Sequence, residues 1–238
     1  MPSTAITTLT KKAQQIMTAS TDPIHDIHHV TRVVRYADAL SRDLHLSETQ
    51  TQALLLAAWW HDASRTLTKR PSMVLMPLVD DMLSAYMLWR ESIRCRMFGP
   101  VIGMATRMIL CKSMGTGRLF SRIFMRKQNR IMIDALKDAD MLDTLSIERT
   151  QQIYQLVDSS RVYFLGYKIS IWWFLSSQKL TLKTVEAKKY LIQLLKAFVE
   201  WIQKPQVFEW HVARYEKKWT YLQIQKGEQF LLAVQQSV

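Results

Sequence analysis

The sequence predicts an all-α protein. Its apolar residues recur mostly three or four positions apart, the spacing that places them on one face of a helix. Only 6 glycines and 6 prolines interrupt the 238 residues, whereas a β-sandwich or a β-barrel needs many more turn residues. Apolar residues make up 48% and charged residues 22% of the chain, which is typical of a globular domain and excludes a disordered or collagen-like chain.

Three helices are predicted near the N-terminus. The first has one apolar face, formed by Ile6, Leu9, Ala13 and Ile16. The second is expected to begin at Asp22-Pro23, because an aspartate cap followed by proline is typical of a first turn. Its apolar stripe consists of Val30, Val33, Val34, Ala37 and Leu40. The third helix follows Ser47 and is apolar all round over residues 54–60, which predicts that it is buried.

The rest of the chain predicts further helices without a domain boundary. We expect, in order, a polar loop at 64–71, helices at 72–88 and 90–112 bent near Gly99-Pro100, a loop at Gly115 and Gly117, helices at 128–143 and 147–160, and helices at 181–203 and 206–237 broken at Pro205. Segment 163–173 is ambiguous between a strand and a buried helix. No linker rich in Pro, Gly or Ser occurs, so the sequence predicts one domain over 1–238.

Charge and cysteine content narrow the function classes. Lys and Arg number 32 against 20 Asp and Glu, and the net charge of +12 predicts attraction to phosphates, nucleic acid or anionic lipid. Two cysteines, Cys95 and Cys111, are too few for a disulfide framework or a zinc finger. The longest apolar stretches, 53–60 and 164–175, are shorter than the roughly 20 residues of a membrane-spanning helix. No secretory signal is evident, and we expect a reduced, cytoplasmic protein.

Three short motifs carry the groups most suited to chemistry. They read HDIHHVTRV at 25–33, AAWWHD at 57–62 and KDADMLD at 137–143. Taken singly, each motif is weak evidence for a metal site, because a histidine beside an apolar stripe is more often a core residue with satisfied hydrogen bonds. His61 and Asp62, however, end an apolar run, where they would be costly to bury unless paired or bound to a metal. Two imidazoles and two carboxylates form a donor set that suits a divalent transition metal.

Together the three motifs resemble those of the HD-domain metal-dependent phosphohydrolase superfamily, and the last looks very like that family's DADxLD signature. The resemblance covers roughly residues 20–145. It implies an HD-domain-like helical bundle whose core, 20–145, carries the metal motifs, with a helical C-terminal extension, 146–238, packed on that core. The cofactor implied is one divalent metal ion: Mn, Fe, Co, Ni, Zn or Mg.

Carried over residue by residue, the resemblance implies four metal ligands: His29, His61, Asp62 and Asp140. Asp62 or Asp140 would hold the attacking water and accept its proton. His28 is the alternative ligand if the register is off by one, because it points about 100° away from His29 on a helix. His25 fits the family's outer histidine, which leaves open substrate contact or a role in the loop.

Basic side chains are expected to neutralise the phosphate in the transition state. The candidates are Arg32, Arg65 and Lys112. An alternative for Arg32 is a salt bridge to Asp26. Lys112 falls where related proteins often carry a histidine, and it could bind phosphate instead of metal. After His61 the only histidine is His211, a helix-packing residue by its aromatic neighbours, which disfavours a histidine-rich binuclear centre.

No acidic residue occurs between Glu91 and Asp134. The basic residues of this stretch are Arg94, Arg96, Arg107, Lys112, Arg118, Arg122, Arg126, Lys127 and Arg130. The spacing of Arg118, Arg122 and Arg126 predicts one positive helical face. This face could line the substrate cleft, bind nucleic acid or an anionic surface, or be merely solvated.

The sequence therefore predicts a metal-dependent phosphohydrolase that acts on a phosphate ester, a nucleotide or related phosphomonoester or diester, by attack of metal-bound water. The alternative is a catalytically degenerate HD-domain binding module for nucleic acid or anionic ligands that uses the basic 94–130 stretch. Arg65 favours this alternative, because nucleotidase-like members carry glutamate at that position. The partner expected first is a phosphate-containing small molecule, and the Trp and Met content is compatible with a homodimer.

Overall fold

The computed structural model describes residues 4–67, 76–112, 117–176 and 182–237. Their regular structure is entirely helical, and no strand occurs among them, which confirms the all-α prediction. The helices are α1 Thr4–Thr18, α2 Ile27–Asp43, α3 Glu48–Trp60, α4 Met76–Arg94, α5 Pro100–Lys112, α6 Gly117–Phe124, α7 Arg130–Thr144, α8 Ile147–Leu156, α9 Arg161–Ser176, α10 Val185–Ile202, α11 Pro205–Tyr215 and α12 Lys217–Gln235. Short 3-10 turns lie at Ala63–Leu67, Lys127–Asn129 and Val157–Ser159.

The chain divides into two compact units, Met1–Asp140 and Met141–Val238. The division falls near the expected end of the motif-bearing core at residue 145. The expectation that the C-terminal extension packs on that core stays a prediction. Within the described part of the chain, none of the helices combines the length and the apolar character needed to cross a membrane.

The first unit is built around α3. This helix packs against α1, α2 and α5, and α5 in turn packs against α4 and α6. Because α3 is covered on several sides, most of its apolar residues are buried, whereas Leu55 and Trp59 are half-buried, so the burial predicted for 54–60 is nearly but not fully all round. Trp60, the last residue of α3, is completely buried and its indole N–H donates to the Leu9 carbonyl at 3.1 Å. That anchor fixes the end of the helix that leads into His61 and Asp62.

The second unit is held by an aromatic cluster around His211 on α11. The hydroxyl oxygen of Tyr167, on α9, lies 2.8 Å from Nε2 of His211. Nδ1 of His211 lies 2.7 Å from the Val207 carbonyl oxygen. The rings that surround this histidine are those of Tyr154, Tyr167, Trp201, Trp210, Tyr215 and Trp219. His211 is therefore a buried packing residue of this unit.

Several boundaries differ from the sequence predictions for identifiable reasons. Helix α2 begins at Ile27, because the side chain of Asp26 caps it. The carboxylate of Asp22, which was expected to cap the helix, accepts hydrogen bonds from the backbone N–H groups of Ile24 and His25 in the preceding turn. Segment 163–173 lies within helix α9. The single helix expected over 206–237 is two helices, since Glu216 adopts a left-handed backbone with φ of 72°. This break lets Tyr215 and Trp219 pack together, with ring centroids 4.9 Å apart.

The middle of the chain also departs from the expected segments. Helix α4 continues past 88 to Arg94, and the bend expected near Gly99-Pro100 separates it from α5. Helix α6 ends at Phe124, so Arg126 lies beyond it and the expected three-arginine helical face is interrupted. Gly115 and the second half of the loop expected at 64–71 lie outside the described residues, and the first half belongs to the 3-10 turn Ala63–Leu67.

Candidate metal centre

His29 is positioned by the capped start of α2. The Asp26 carboxylate accepts a hydrogen bond from the His29 backbone N–H at 2.9 Å, which fixes the first turn of the helix. The side chain of His29 points to the inside of the first unit and is fully buried. His28, the alternative ligand by register, is exposed. The orientation of α2 therefore favours His29.

His61 and Asp62 follow directly from the buried end of α3. Nδ1 of His61 lies 2.7 Å from the Ala58 carbonyl, a geometry in which the Nδ1–H donates and the Nε2 lone pair points into the site. Nε2 is completely buried, and among the described residues it has no hydrogen-bond partner. Burial opposes the charged form of His61, but the carboxylates of Asp62 and Asp140 raise its pKa above the usual value, so without a metal this ring attracts a proton. In its neutral form, an imidazole held in this way is oriented as metal-ligating histidines are.

Asp140, on α7, brings the third chain segment to the same point. Nε2 of His29 lies 3.2 Å from Asp62 Oδ2 and 3.6 Å from Asp140 Oδ1. Nε2 of His61 lies 3.6 Å from the same oxygen of Asp62 and 3.7 Å from that of Asp140. One ligand atom from each of His29, His61 and Asp140 fits within a span of 4.8 Å. The structure thus brings the four predicted ligands together.

These separations fit a shared metal ion. Nitrogen and oxygen ligands lie about 2.1 Å from a divalent transition metal, so two neighbouring ligands of one ion are roughly 3.0 to 3.4 Å apart. The observed nitrogen–oxygen distances of 3.2 to 3.7 Å need only a small contraction to reach that range. The side chain of Asp140 is 29% exposed, whereas the other three are nearly buried, so the site opens to solvent beside Asp140.

Lys112, at the end of α5, reaches into the same site. Its ammonium lies 2.8 Å from Asp140 Oδ2 and 3.5 Å from Oδ1 of Asp81, on α4. The lysine side chain is 13% exposed, so its charge is largely removed from water. The two carboxylates hold this cation at the open side of the centre, where a phosphate oxygen could replace water as its ligand.

Burial and opposite charge act against each other on the ionisable groups of the site. Burial alone would raise the pKa of Asp62, but the charge of His61 and the bond from His29 hold that pKa well below its usual range. Burial would likewise raise the pKa of Asp140, and Lys112 and His61 lower it well below normal. The pKa of Lys112 is well above normal, because Asp140 and Asp81 outweigh its burial. The two candidate ligand carboxylates are therefore ionised at neutral pH.

A histidine–aspartate pair lies beside the four candidate ligands. The ring of His25 meets that of His29 edge-on at 5.4 Å, and its Nδ1 lies 3.1 Å from Asp22 Oδ2. The other oxygen of Asp22 accepts from the backbone N–H groups of Ile24 and His25. Asp22 thereby fixes the ring that the sequence marked as a substrate contact. At the level of sequence, Asp22 was expected to cap a helix instead.

The predicted basic residues have different surroundings. Arg65 is buried and pairs with Asp80 at 2.7 Å, which ties the turn after α3 to α4. Arg32 is half-buried on α2, one turn beyond His29, and Arg122 is exposed on α6. The side chain of Arg118 lies outside the described residues. Lys112 is a basic candidate whose charged group contacts a candidate metal ligand, Asp140.

Asp80 and Asp81 were missed at the level of sequence. They are adjacent on α4, both nearly buried, and hold Arg65 and Lys112 respectively. Their only sequence signal is a pair of carboxylates inside an otherwise apolar helical segment, where burial without a cationic partner would be unfavourable. Asp81 accordingly has a raised pKa, chiefly through burial, although Lys112 lowers it.

Comparisons of the chain with models of known protein families, with curated proteins and with solved structures found no match. The resemblance to the HD-domain superfamily therefore depends on the three sequence motifs.

Proposed function

We propose that the protein is a metal-dependent phosphohydrolase of the HD-domain type. The observation that carries the proposal is the meeting of His29, His61, Asp62 and Asp140, contributed by three separate chain segments, around one point. The oriented, buried Nε2 of His61 supports the same conclusion, because metal-ligating imidazoles commonly donate their other N–H to a carbonyl.

These four side chains would hold one divalent ion, of the Mn, Fe, Co, Ni, Zn or Mg group. When bound, such an ion acidifies a coordinated water and polarises a phosphoryl oxygen. Asp62 and Asp140, ionised at neutral pH by their low pKa, would orient the attacking water and accept its proton. The solvent-facing side of Asp140 is where substrate would enter.

Lys112 would bind the phosphate at that entrance. Its ammonium is fixed by Asp81 and Asp140 before substrate arrives, so little reorganisation is needed when charge develops on the phosphoryl oxygens. His25, oriented by Asp22, would contact the substrate from the other side of His29. A positive group at the entrance suits a nucleotide or a related phosphomonoester or diester, because all of these present a phosphate.

The proposal is tested by assaying a generic phosphate ester, p-nitrophenyl phosphate or its bis-ester, after chelation and after addition of each metal. We expect hydrolysis to require metal and to be lost in Asp62→Asn. The matched control is Asp158→Asn, which changes an exposed aspartate of the second unit paired with Arg214. Hydrolysis that survives chelation, or that survives in Asp62→Asn, would show that the chemistry lies elsewhere.

A second candidate function is a binding module without catalysis. The observation that favours it is the ion pair of Lys112 with Asp140, which already neutralises one candidate ligand. Such a module would bind phosphate-containing ligands and show no metal-dependent turnover. Metal uptake without hydrolysis of either ester would support it over the enzyme.

Two further expectations belong with the proposal. Cys95 and Cys111 are both free thiols, one exposed and one buried, which is compatible with a reduced compartment, and a cytoplasmic location remains a prediction. A homodimer likewise remains a prediction. Sedimentation of the purified chain over a range of concentrations would test for the homodimer.

A further inference from the structure

Helix α4 turns its acidic and serine side chains inward. Asp80, Asp81 and Glu91 are each nearly buried, together with Ser84 and Ser92. Asp80 and Asp81 hold Arg65 and Lys112, and the Ser84 hydroxyl accepts from the Ser64 backbone N–H at 3.0 Å. The acidic groups of this helix are thus committed to the inside of the first unit.

The opposite face of α4 is apolar and exposed. Six large side chains on it are between 37% and 53% exposed: Val79, Met82, Leu83, Tyr86, Trp89 and Ile93. At 100° per residue they fall within an arc of about 120°, so they form one continuous stripe, called here the α4 outer face. Single exposed apolar residues are ordinary, but a stripe of this length on one helix indicates a surface that contacts something.

Positive charge collects at the C-terminal end of the α4 outer face. Arg90 and Arg94 share the single carboxylate of Glu91, at 3.4 and 2.9 Å, which leaves one guanidinium charge in excess. Arg96 follows and is exposed, as is Phe98 two residues later. After Glu91 the next acidic residue in the sequence is Asp134. The exposed end of the helix is therefore basic and aromatic.

We propose that the α4 outer face binds the surface of an anionic membrane. An interfacial helix inserts its apolar stripe among the headgroups while basic side chains contact lipid phosphates. Tyr86 and Trp89, whose rings lie 6.0 Å apart, are the residue types that favour this interface. The arginines can extend their guanidinium groups to the headgroup level while their stems cover apolar surface.

Two other occupants fit the α4 outer face less well. A second copy packed on it, in either orientation, would offer Arg90, Arg94 and Arg96 no acidic partner from α4, because the acidic residues of that helix are buried. Nucleic acid would satisfy the arginines but leave Met82, Leu83 and Ile93 against a polar backbone. Anionic lipid satisfies both the charge and the apolar area.

Helix α6, in the same unit, repeats this pattern on a smaller scale. Leu119, Ile123 and Phe124 are exposed on it, beside exposed Arg122. Arg126 and Lys127 follow and are exposed as well. The basic stretch of the sequence is therefore interleaved with exposed apolar side chains, as expected of a lipid-facing surface and not of a purely solvated one.

The test is sedimentation of the full chain with vesicles of phosphatidylcholine alone and of phosphatidylcholine with phosphatidylglycerol. We expect binding to the anionic vesicles that weakens as salt is raised, and little binding to the neutral ones. The double variant Tyr86→Ser/Trp89→Ser should lower the affinity about tenfold or more. Arg96→Gln, a single exposed change, should lower it about fivefold.

The matched control is Trp172→Ser/Trp173→Ser, which removes an exposed pair of aromatic rings from α9 in the second unit. It should leave vesicle binding unchanged. The proposal is overturned if the wild type does not sediment, if the α4 variants bind as well as the wild type, or if the α9 control loses binding instead. Self-association of the chain and its binding to duplex DNA are measured on the same variants. The proposal is also overturned if the α4 variants lose one of these two activities and keep their binding to vesicles.

Because the α4 outer face lies on the side of the helix away from Asp81, these results do not depend on metal binding or hydrolysis. A chain that binds vesicles and lacks metal would contradict the proposed function alone. A chain that binds metal and ignores vesicles would contradict this inference alone.

Discussion

Lys112 approaches the candidate centre as a largely buried cation, with its ammonium 2.8 Å from Asp140 and 3.5 Å from Asp81. At this distance it competes with a metal ion for the charge of Asp140, and it also offers the substrate a fixed positive group. The two roles can be separated by measurement, because the first lowers the affinity for metal and the second raises the rate of hydrolysis.

Replacing Lys112 by glutamine should therefore raise metal affinity and lower activity. We expect metal to bind about tenfold more tightly, since a repulsive charge near a ligand is removed. The value of kcat/KM for a phosphate ester should fall about a hundredfold, since an electrostatic contact in the transition state is lost. Isothermal titration and steady-state kinetics measure the two effects.

The control for Lys112→Gln is Lys127→Gln, which removes an exposed positive charge on the turn after α6. It should change neither the metal affinity nor kcat/KM. Equal losses of activity in the two variants would mean that net charge, and not the position of Lys112, supports hydrolysis.

Residues of the site differed in how readily the sequence revealed them. His29, His61, Asp62 and Asp140 stood in ordered motifs, and the structure brings them together. His25 also stood in the first motif, but Asp81 and the pairing of Asp22 with His25 had no such signal, because their significance depends on which side chain faces them in three dimensions. Asp22 looked like a helix cap, since an aspartate before proline has that local preference whatever lies nearby.

Helices α2 and α3 deliver their histidines to the site from opposite ends. His29 lies in the first turn of α2, just after the Asp26 cap, whereas His61 follows the last turn of α3, far from the Ser47 cap. Loss of either cap should weaken its helix by a similar amount. Only the cap of α2 is close enough to move a candidate ligand.

Asp26→Ala and Ser47→Ala form a matched pair on this point. Each should lower the free energy of unfolding by about 1 kcal/mol, the usual contribution of a helix N-cap. Asp26→Ala should also weaken metal binding about tenfold, because the His29 backbone loses its fixed turn. Ser47→Ala should leave metal binding unchanged. Equal metal affinities in the two variants would show that α2 does not position the ligand in this way.

Element boundaries followed from the sequence where capping and apolar spacing agreed. Helix α3 and its Ser47 capping box are an example, and so is the Ser146 cap of α8. Boundaries failed where tertiary packing decided the backbone. The break at Glu216 has no glycine or proline to announce it, and it exists because Tyr215 and Trp219 both pack near His211.

The stability of the second unit should be sensitive to acid through His211. Burial lowers the pKa of this histidine from 6.5 to about 4 in the folded chain. Between these two values the unfolded chain binds a proton that the folded chain does not. Stability is therefore complete above pH 6.5 and is lost as the pH falls toward 4, by an amount on the order of 3 kcal/mol.

The measurement is urea unfolding followed by tryptophan fluorescence, since Trp210 and Trp219 surround His211. His211→Gln removes the titration while it keeps a polar side chain beside Tyr167. The variant should lose less stability than the wild type between pH 6.5 and pH 4. Identical losses would mean that carboxyl groups elsewhere determine the acid sensitivity.

The metal content of the full chain decides whether His29, His61, Asp62 and Asp140 form a metal centre. Purified protein, stripped by chelation and titrated with each divalent transition metal and with Mg²⁺, should take up one ion per chain, and Asp140→Asn should weaken that uptake at least tenfold. Uptake of no ion by the wild type, or equally tight uptake by Asp140→Asn, would contradict the assignment of His29, His61, Asp62 and Asp140 as a metal centre.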